Sequence, residues 1–508
     1  MRCAVLLRLD EGFAQTHQRD FAPLESHLAL RACDYRFSST KGLFMTFAFI
    51  LGALALLFLV LGVAYFSGRQ VKSAADFASA GGRARLPMVI GALTGTMVGG
   101  ASTIGTAQLA FTYGHSAWWF TVGGGLGLVL MGLFYAVPLR RSGHATLSQA
   151  VAKEYGAKAG LTLSLLNTLG TFISVVAQVL SGATLLSAVS HVPPLVGTVS
   201  MAALMLMYVV YGGALGAGYV GIVKVLAICL SMAVCAVAAL TLGGGVSGVF
   251  MNPALPGEVY RVPFARGFLK DAGAGLAAVF GFICTQANIT SMVSARSDKT
   301  AVRGAVLTGM LMPLVGAAGI VVGLYMRARY PEMASSMALP QFILNEMPGF
   351  VSGAMIMALF VTIIGSGAGL SLGVSNIIAN DLMPKKLSAS MSERKKLKVN
   401  RGILTVFLLA CALLTLGNIG GMILNLTFLS MGLRGAAGIG VLTTALRYRG
   451  RIGAKWALTS MVLGVVMTIA SHLLYADRWD PSLPGVLVAG LALFIGSKVH
   501  AQKKTAIN

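Results

Sequence analysis

Apolar stretches of roughly membrane-spanning length alternate with short polar clusters along most of the chain. They lie near 45–67, 88–111, 117–138, 160–189, 193–211, 216–242, 272–294, 304–326, 350–379, 402–417, 419–446, 456–474 and 484–497. A helix needs about 20 apolar residues to cross about 30 Å of hydrocarbon. The pattern therefore predicts an all-α polytopic membrane protein with about 13 transmembrane helices, numbered here as spans 1 to 13.

Charge placement gives the expected orientation. Loops after the odd-numbered spans 1 to 11, with the C-terminal tail, carry 25 Lys and Arg residues, whereas the opposite loops carry six: Arg261, Arg266, Lys270, Arg327, Arg329 and Arg478. Basic residues flanking spans are retained on the cytoplasmic side. The N-terminus is thus expected outside and the C-terminus inside, in a plasma (inner) membrane. The net charge of +23 reads as topology rather than as nucleic-acid binding.

Composition agrees. Hydrophobic types make up 56% of the 508 residues and charged types 11%, against about 25% charged in soluble domains, which excludes a soluble enzyme. The six cysteines show no paired spacing, so neither a disulfide framework nor a zinc motif is expected. Residues 1–43 hold no apolar core and are expected to be a poorly ordered polar extension, with Met45 as an alternative start. Residues 44–498 read as one membrane domain, followed by a short basic tail, 499–508.

The run Gly68-Arg69, Ser73-Ala-Ala-Asp76-Phe77 and Gly81-Gly82-Arg83 precedes the glycine-rich stretch from Thr94 to Gly105. Further on come Tyr211-Gly212-Gly213, Ser294-Ala295-Arg296-Ser297 and Ser375-Asn376 with Asp381-Leu382. Together these resemble the sodium:solute symporter family from about Thr46 onward. The resemblance implies the five-plus-five inverted-repeat core of the leucine-transporter fold, formed by spans 2–6 and 7–11, with spans 1, 12 and 13 peripheral. It also implies helices broken near the midplane to expose carbonyls and helix ends to ion and solute. Span 2 suits a break between about Val98 and Gly105, since Gly95, Gly99, Gly100 and Gly105 weaken it and Ser102, Thr103 and Thr106 can satisfy freed backbone groups. A small-residue packing face through Gly91, Gly95 and Gly99 is the alternative reading.

Carried over residue by residue, the resemblance places sodium ligands on the carbonyls of Ala101 and Ile104 and on Thr362 and Ser366. Gly365 stands where relatives commonly have a hydroxyl, and Val220-Gly221-Ile222-Val223-Lys224 replaces a Thr-Asp-x-x-Gln run. Sodium is the expected coupling ion and no other cofactor is implied. Candidate solute contacts are Gln108, Thr285, Gln286 and Asn288, with helix-to-helix hydrogen bonding as the plainer alternative. Arg434 is a further candidate: it lies well inside span 11, with every acidic residue confined to the N-terminal segment, loops or span ends. Its planar donors suit a substrate carboxylate, and backbone carbonyls of a broken helix are the alternative. Lys224, about eight residues or 12 Å from the nearer end of span 6, either snorkels to the interface or approaches the ion site as a surrogate cation.

The chain is thus expected to import a small polar solute, anionic or zwitterionic, by sodium symport. The alternatives are a proton-coupled or sodium-independent transporter using Lys224 and, more distantly, a transporter-like sensor. An enzyme is not expected, because no intramembrane acid pair or His-Glu-x-x-His motif is present. The expected partners are the solute, sodium and the lipid bilayer, and not nucleic acid.

Overall fold

The computed structural model describes residues 47–68, 82–255, 257–383, 391–416, 422–475 and 478–505. The N-terminal extension, the Ser73–Phe77 motif and the last three residues lie outside them. Among the described residues the regular structure is helical apart from one bridge, Ala84 to Ala295, with short turns and loops between the helices. Nine of these helices are long and apolar enough to cross a membrane, or ten if a bent pair counts as one span. The chain is an integral multi-pass membrane protein.

Two apolar segments, Pro194–Tyr208 and Val220–Leu242, stand where spans 5 and 6 are expected. Both meet the same stretch of span 9: Met205 Sδ is 2.6 Å from where a Cβ of Gly367 would stand, and Lys224 lies against Gly365. A straight helix would hold positions 205 and 224 about 28 Å apart, so the two segments do not run on as one straight span.

Two spans are broken. Span 2 runs as Leu86–Met97, leaves helical geometry at Val98 (φ −85°, ψ 102°), and resumes through a wide turn, Ala101–Gly105, into Thr106–Tyr113. Span 7 runs as Phe268–Ile283 and Gln286–Ser294, bent by 44°. The interruption in span 2 matches the glycine pattern and leaves free backbone groups that a packing face would not. The start of one broken span is joined to the end of the other by main chain: Ala84 N–H donates to Ser294 O at 3.0 Å, and Arg296 N–H donates to Ala84 O at 2.9 Å.

Span 6 approaches span 2 backbone to backbone. A Cβ at Gly221 would fall into hard contact with the carbonyl of Gly91, and the Gly221 Cα lies 3.4 Å from where a Cβ of Gly95 would stand. This contact brings the next turn of span 6 against the break. Replacing Gly221 with valine should lower stability by about 1–3 kcal/mol through overpacking, whereas Gly62→Ala, where a Cβ meets nothing within 4 Å, should not lower it. Thermal unfolding of the purified variants checks both.

Candidate functional site

The break in span 2 frees carbonyls and amides at membrane depth, where each unpaired group costs several kcal/mol. Ser366 of span 9 answers two carbonyls, its Oγ lying 2.9 Å from both Gly95 O and Val98 O. Gln178 of span 4 accepts from Gly100 N–H through Oε1 at 2.9 Å. Gly99 O accepts from Ser102 Oγ and Thr103 Oγ1 at 3.1 and 2.8 Å. A Cβ at Gly99 would sit 2.6 Å from Gln178 Oε1 and 2.8 Å from Ser366 Oγ, so the close approach requires glycine there.

The carbonyls directed at span 9 are those of Gly95 and Val98, six residues before the expected Ala101 and Ile104. Ala101 O instead accepts from Thr106 Oγ1 at 3.3 Å, and Gly105 N–H bonds back to Gly100 O at 2.8 Å. The chain returns to internal hydrogen bonding earlier than the glycine spacing implies. Gln178 shares the apolar run of span 4 with a second amide, Asn167, and nothing in the sequence singles it out.

Lys224 reaches this junction from span 6. Its side chain is buried, with Nζ 2.7 Å from Gly95 O and 3.2 Å from Thr362 O. The Thr362 hydroxyl is buried with no hydrogen-bond partner. A Cβ at Gly365 would lie 3.1 Å from both Cδ and Cε of Lys224 and in hard contact with Nζ. Carbonyls and hydroxyls from spans 2 and 9 thus converge as hard-cation ligands would, with a lysine among them.

Arg434 is buried at 1% exposure and is met only by neutral groups. Its NH1 donates to Thr285 Oγ1 (2.8 Å), NH2 to Ser174 Oγ (2.7 Å) and Ser430 Oγ (2.9 Å), with Met431 Sδ at 3.2 Å, and Nε to Ser430 O (3.3 Å). Thr285 stands at the break of span 7, just before Gln286–Ser294, and donates to Gly281 O at 2.7 Å, while Asn167 donates to Cys284 O at 2.8 Å. Among the described residues the ion pairs are Arg140–Asp298, Arg141–Asp298 and Arg266–Asp271. None includes Arg434 or Lys224.

The remaining candidates are dispersed. Gln108 accepts from Ile423 N–H at 3.2 Å, linking span 2 to the start of span 11. Gln286 is engaged at both ends of its amide, accepting from Leu147 N–H (3.1 Å) and donating to Ala145 O (3.0 Å), which makes it a brace for the connector between spans 3 and 4. Asn288 donates to Phe282 O at 2.8 Å, but its buried Oδ1 has no partner.

The sodium:solute symporter family model matches residues 79–464. The chain belongs to that family. It is similar to the uncharacterized symporter YwcA of Bacillus subtilis (strain 168), with 23% identity over 468 residues, covering 87% of this chain and 88% of the relative. In fold it is similar to a sodium-coupled sialic acid symporter solved in a substrate-bound outward-open state, with TM-score 0.74 and 17% identity over 90% of this chain and 98% of that one. MhsT in complex with L-phenylalanine follows at TM-score 0.52 and 14% identity, covering 82% and 98%. The fold is that of the leucine-transporter group, and the protein is a transporter, not an enzyme.

Replacing Gln178 with leucine would strand Gly100 N–H at the break. Such an unsatisfied buried donor costs about 1–3 kcal/mol. The variant should unfold at lower temperature than wild type in detergent, and an unchanged midpoint would show that Gln178 does not hold the break.

Proposed function

We propose that the protein is a secondary active importer of a small polar solute bearing a carboxylate, anionic or zwitterionic. Access alternates around the broken helices of spans 2 and 7. A cation at the junction of spans 2 and 9 couples the solute to the change of access: sodium, as in the family's description, or the chain's own ammonium. The observation that carries the solute class is Arg434. A permanently charged guanidinium buried among hydroxyls and a thioether, without an acidic partner, is costly, and a bidentate carboxylate would supply the missing charge. Its link to Thr285 puts it at the break of span 7, where half-helix ends meet solute in such folds.

Family membership supports transport, while sialic acid and L-phenylalanine belong to the two solved proteins. The expected orientation, N-terminus outside and C-terminus inside, rests on the distribution of basic residues alone.

A thermal-shift series of mono- and dicarboxylates, amino acids and neutral sugars should find its strongest stabiliser among the carboxylates. For that compound, Arg434→Lys should weaken binding by about tenfold or more, since the charge remains but the fork is lost. A neutral sugar as the strongest ligand, or unchanged affinity in a folded Arg434→Lys variant, would refute the assignment.

A further inference from the structure

The lysine at the junction of spans 2, 6 and 9 is surrounded by a cation site in all but name. Three carbonyls come from two different helices: Gly95 and Val98 at the break, and Thr362 in span 9. The Ser366 hydroxyl bonds to both Gly95 O and Val98 O, and the Thr362 hydroxyl is left open beside them. No acidic residue pairs with Lys224 among the described residues, so nothing but these neutral oxygens answers its charge.

We infer that the Lys224 ammonium is the resident cation of this site and takes the place that sodium would fill. The inference rests on reading the junction as the coupling-cation site and changes only its occupant. Its support is steric as well as electrostatic. Gly221, packed on Gly91 one turn before Lys224, lets span 6 come close enough for the side chain to reach the break. Gly95 leaves room as well, since a Cβ there would lie 3.8 Å from Nζ. Gly365 completes the space, because a Cβ there would overlap the ammonium where it stands and push the lysine end off its carbonyls. A hydroxyl at position 365 and the Lys224 ammonium in this pose compete for one volume, and in this chain the lysine holds it.

The consequence for sodium is direct. Nζ already takes Gly95 O at 2.7 Å and Thr362 O at 3.2 Å. A second unit charge on the same oxygens would meet strong repulsion in a low-dielectric interior. The ammonium ties the break in span 2 to span 9 without any ion from solution, so the closed arrangement forms in sodium-free medium.

Sodium itself is the probe for the test. Thermal unfolding of the purified full chain is compared in NaCl and KCl at equal ionic strength, for wild type and for the double variant Lys224→Ala with Gly365→Ser, which returns a hydroxyl to the volume the ammonium vacates. Wild type should show no sodium-specific shift. The double variant should gain one of about 3 °C, saturating with sodium concentration. A sodium-specific shift in wild type, or none in a folded double variant, would overturn the inference. If the double variant does not fold, the wild-type titration and that of Lys224→Gln still decide. The carboxylate screen, run in potassium, judges the solute reading separately.

Discussion

Everything at the centre of this protein depends on one requirement: the backbone released where span 2 stops being a helix must be satisfied by protein, because the bilayer offers no water. Gly99 O is met within the span by Ser102 and Thr103, whereas Gly95 O, Val98 O and Gly100 N–H are answered from outside it, by Ser366 of span 9, Gln178 of span 4 and Lys224 of span 6. Those three side chains bind three helices to one break. The glycines of the segment serve the same end, since Gly99 and Gly100 would collide with Gln178, Ser366 or Ser181 if they carried side chains. An unwound segment at this depth persists because its neighbours fit it, and it is the natural place for a ligand whose binding substitutes for one of those neighbours.

The two buried cations divide the interior into different chemistries. Lys224 sits among main-chain carbonyls, which suit a compact, strongly hydrated charge. Arg434 sits among hydroxyls of spans 4, 7 and 11, placed around a planar fork. The one deeply buried ion pair among the described residues, Arg266 with Asp271 at 2.7 Å, shows that the chain can supply an acid to a buried cation elsewhere. That neither Lys224 nor Arg434 receives one separates these two positions from an ordinary structural pair.

The sequence made the membrane class readable, because apolar length and the distribution of charge are one-dimensional properties. It also marked span 2 as breakable, since glycine and hydroxyl residues crowd there. The carbonyls that Ser366 meets, those of Gly95 and Val98, lie six residues before Ala101 and Ile104, because the break's position is decided by where Ser366 and Gln178 arrive from distant parts of the chain. The same limit applies to Gln286, whose polarity inside span 7 read as a solute contact while its amide is taken by the backbone at Ala145 and Leu147. In each case the missing information was the partner, not the residue.

The paired main-chain bonds between Ala84 and residues 294 and 296 have a mechanical meaning. They couple Leu86–Met97 to Gln286–Ser294, so the two short segments lying on the same side of the two breaks are clamped at their shared end. Because the clamp is made of peptide groups, side-chain replacement leaves its donors and acceptors in place, with proline at a donor position as the exception. Torque applied to either segment passes to the other, and the compliance of the pair resides at Val98–Gly100 and Cys284–Thr285. The two discontinuities then act as joints at the far ends of one pair of segments linked by main chain.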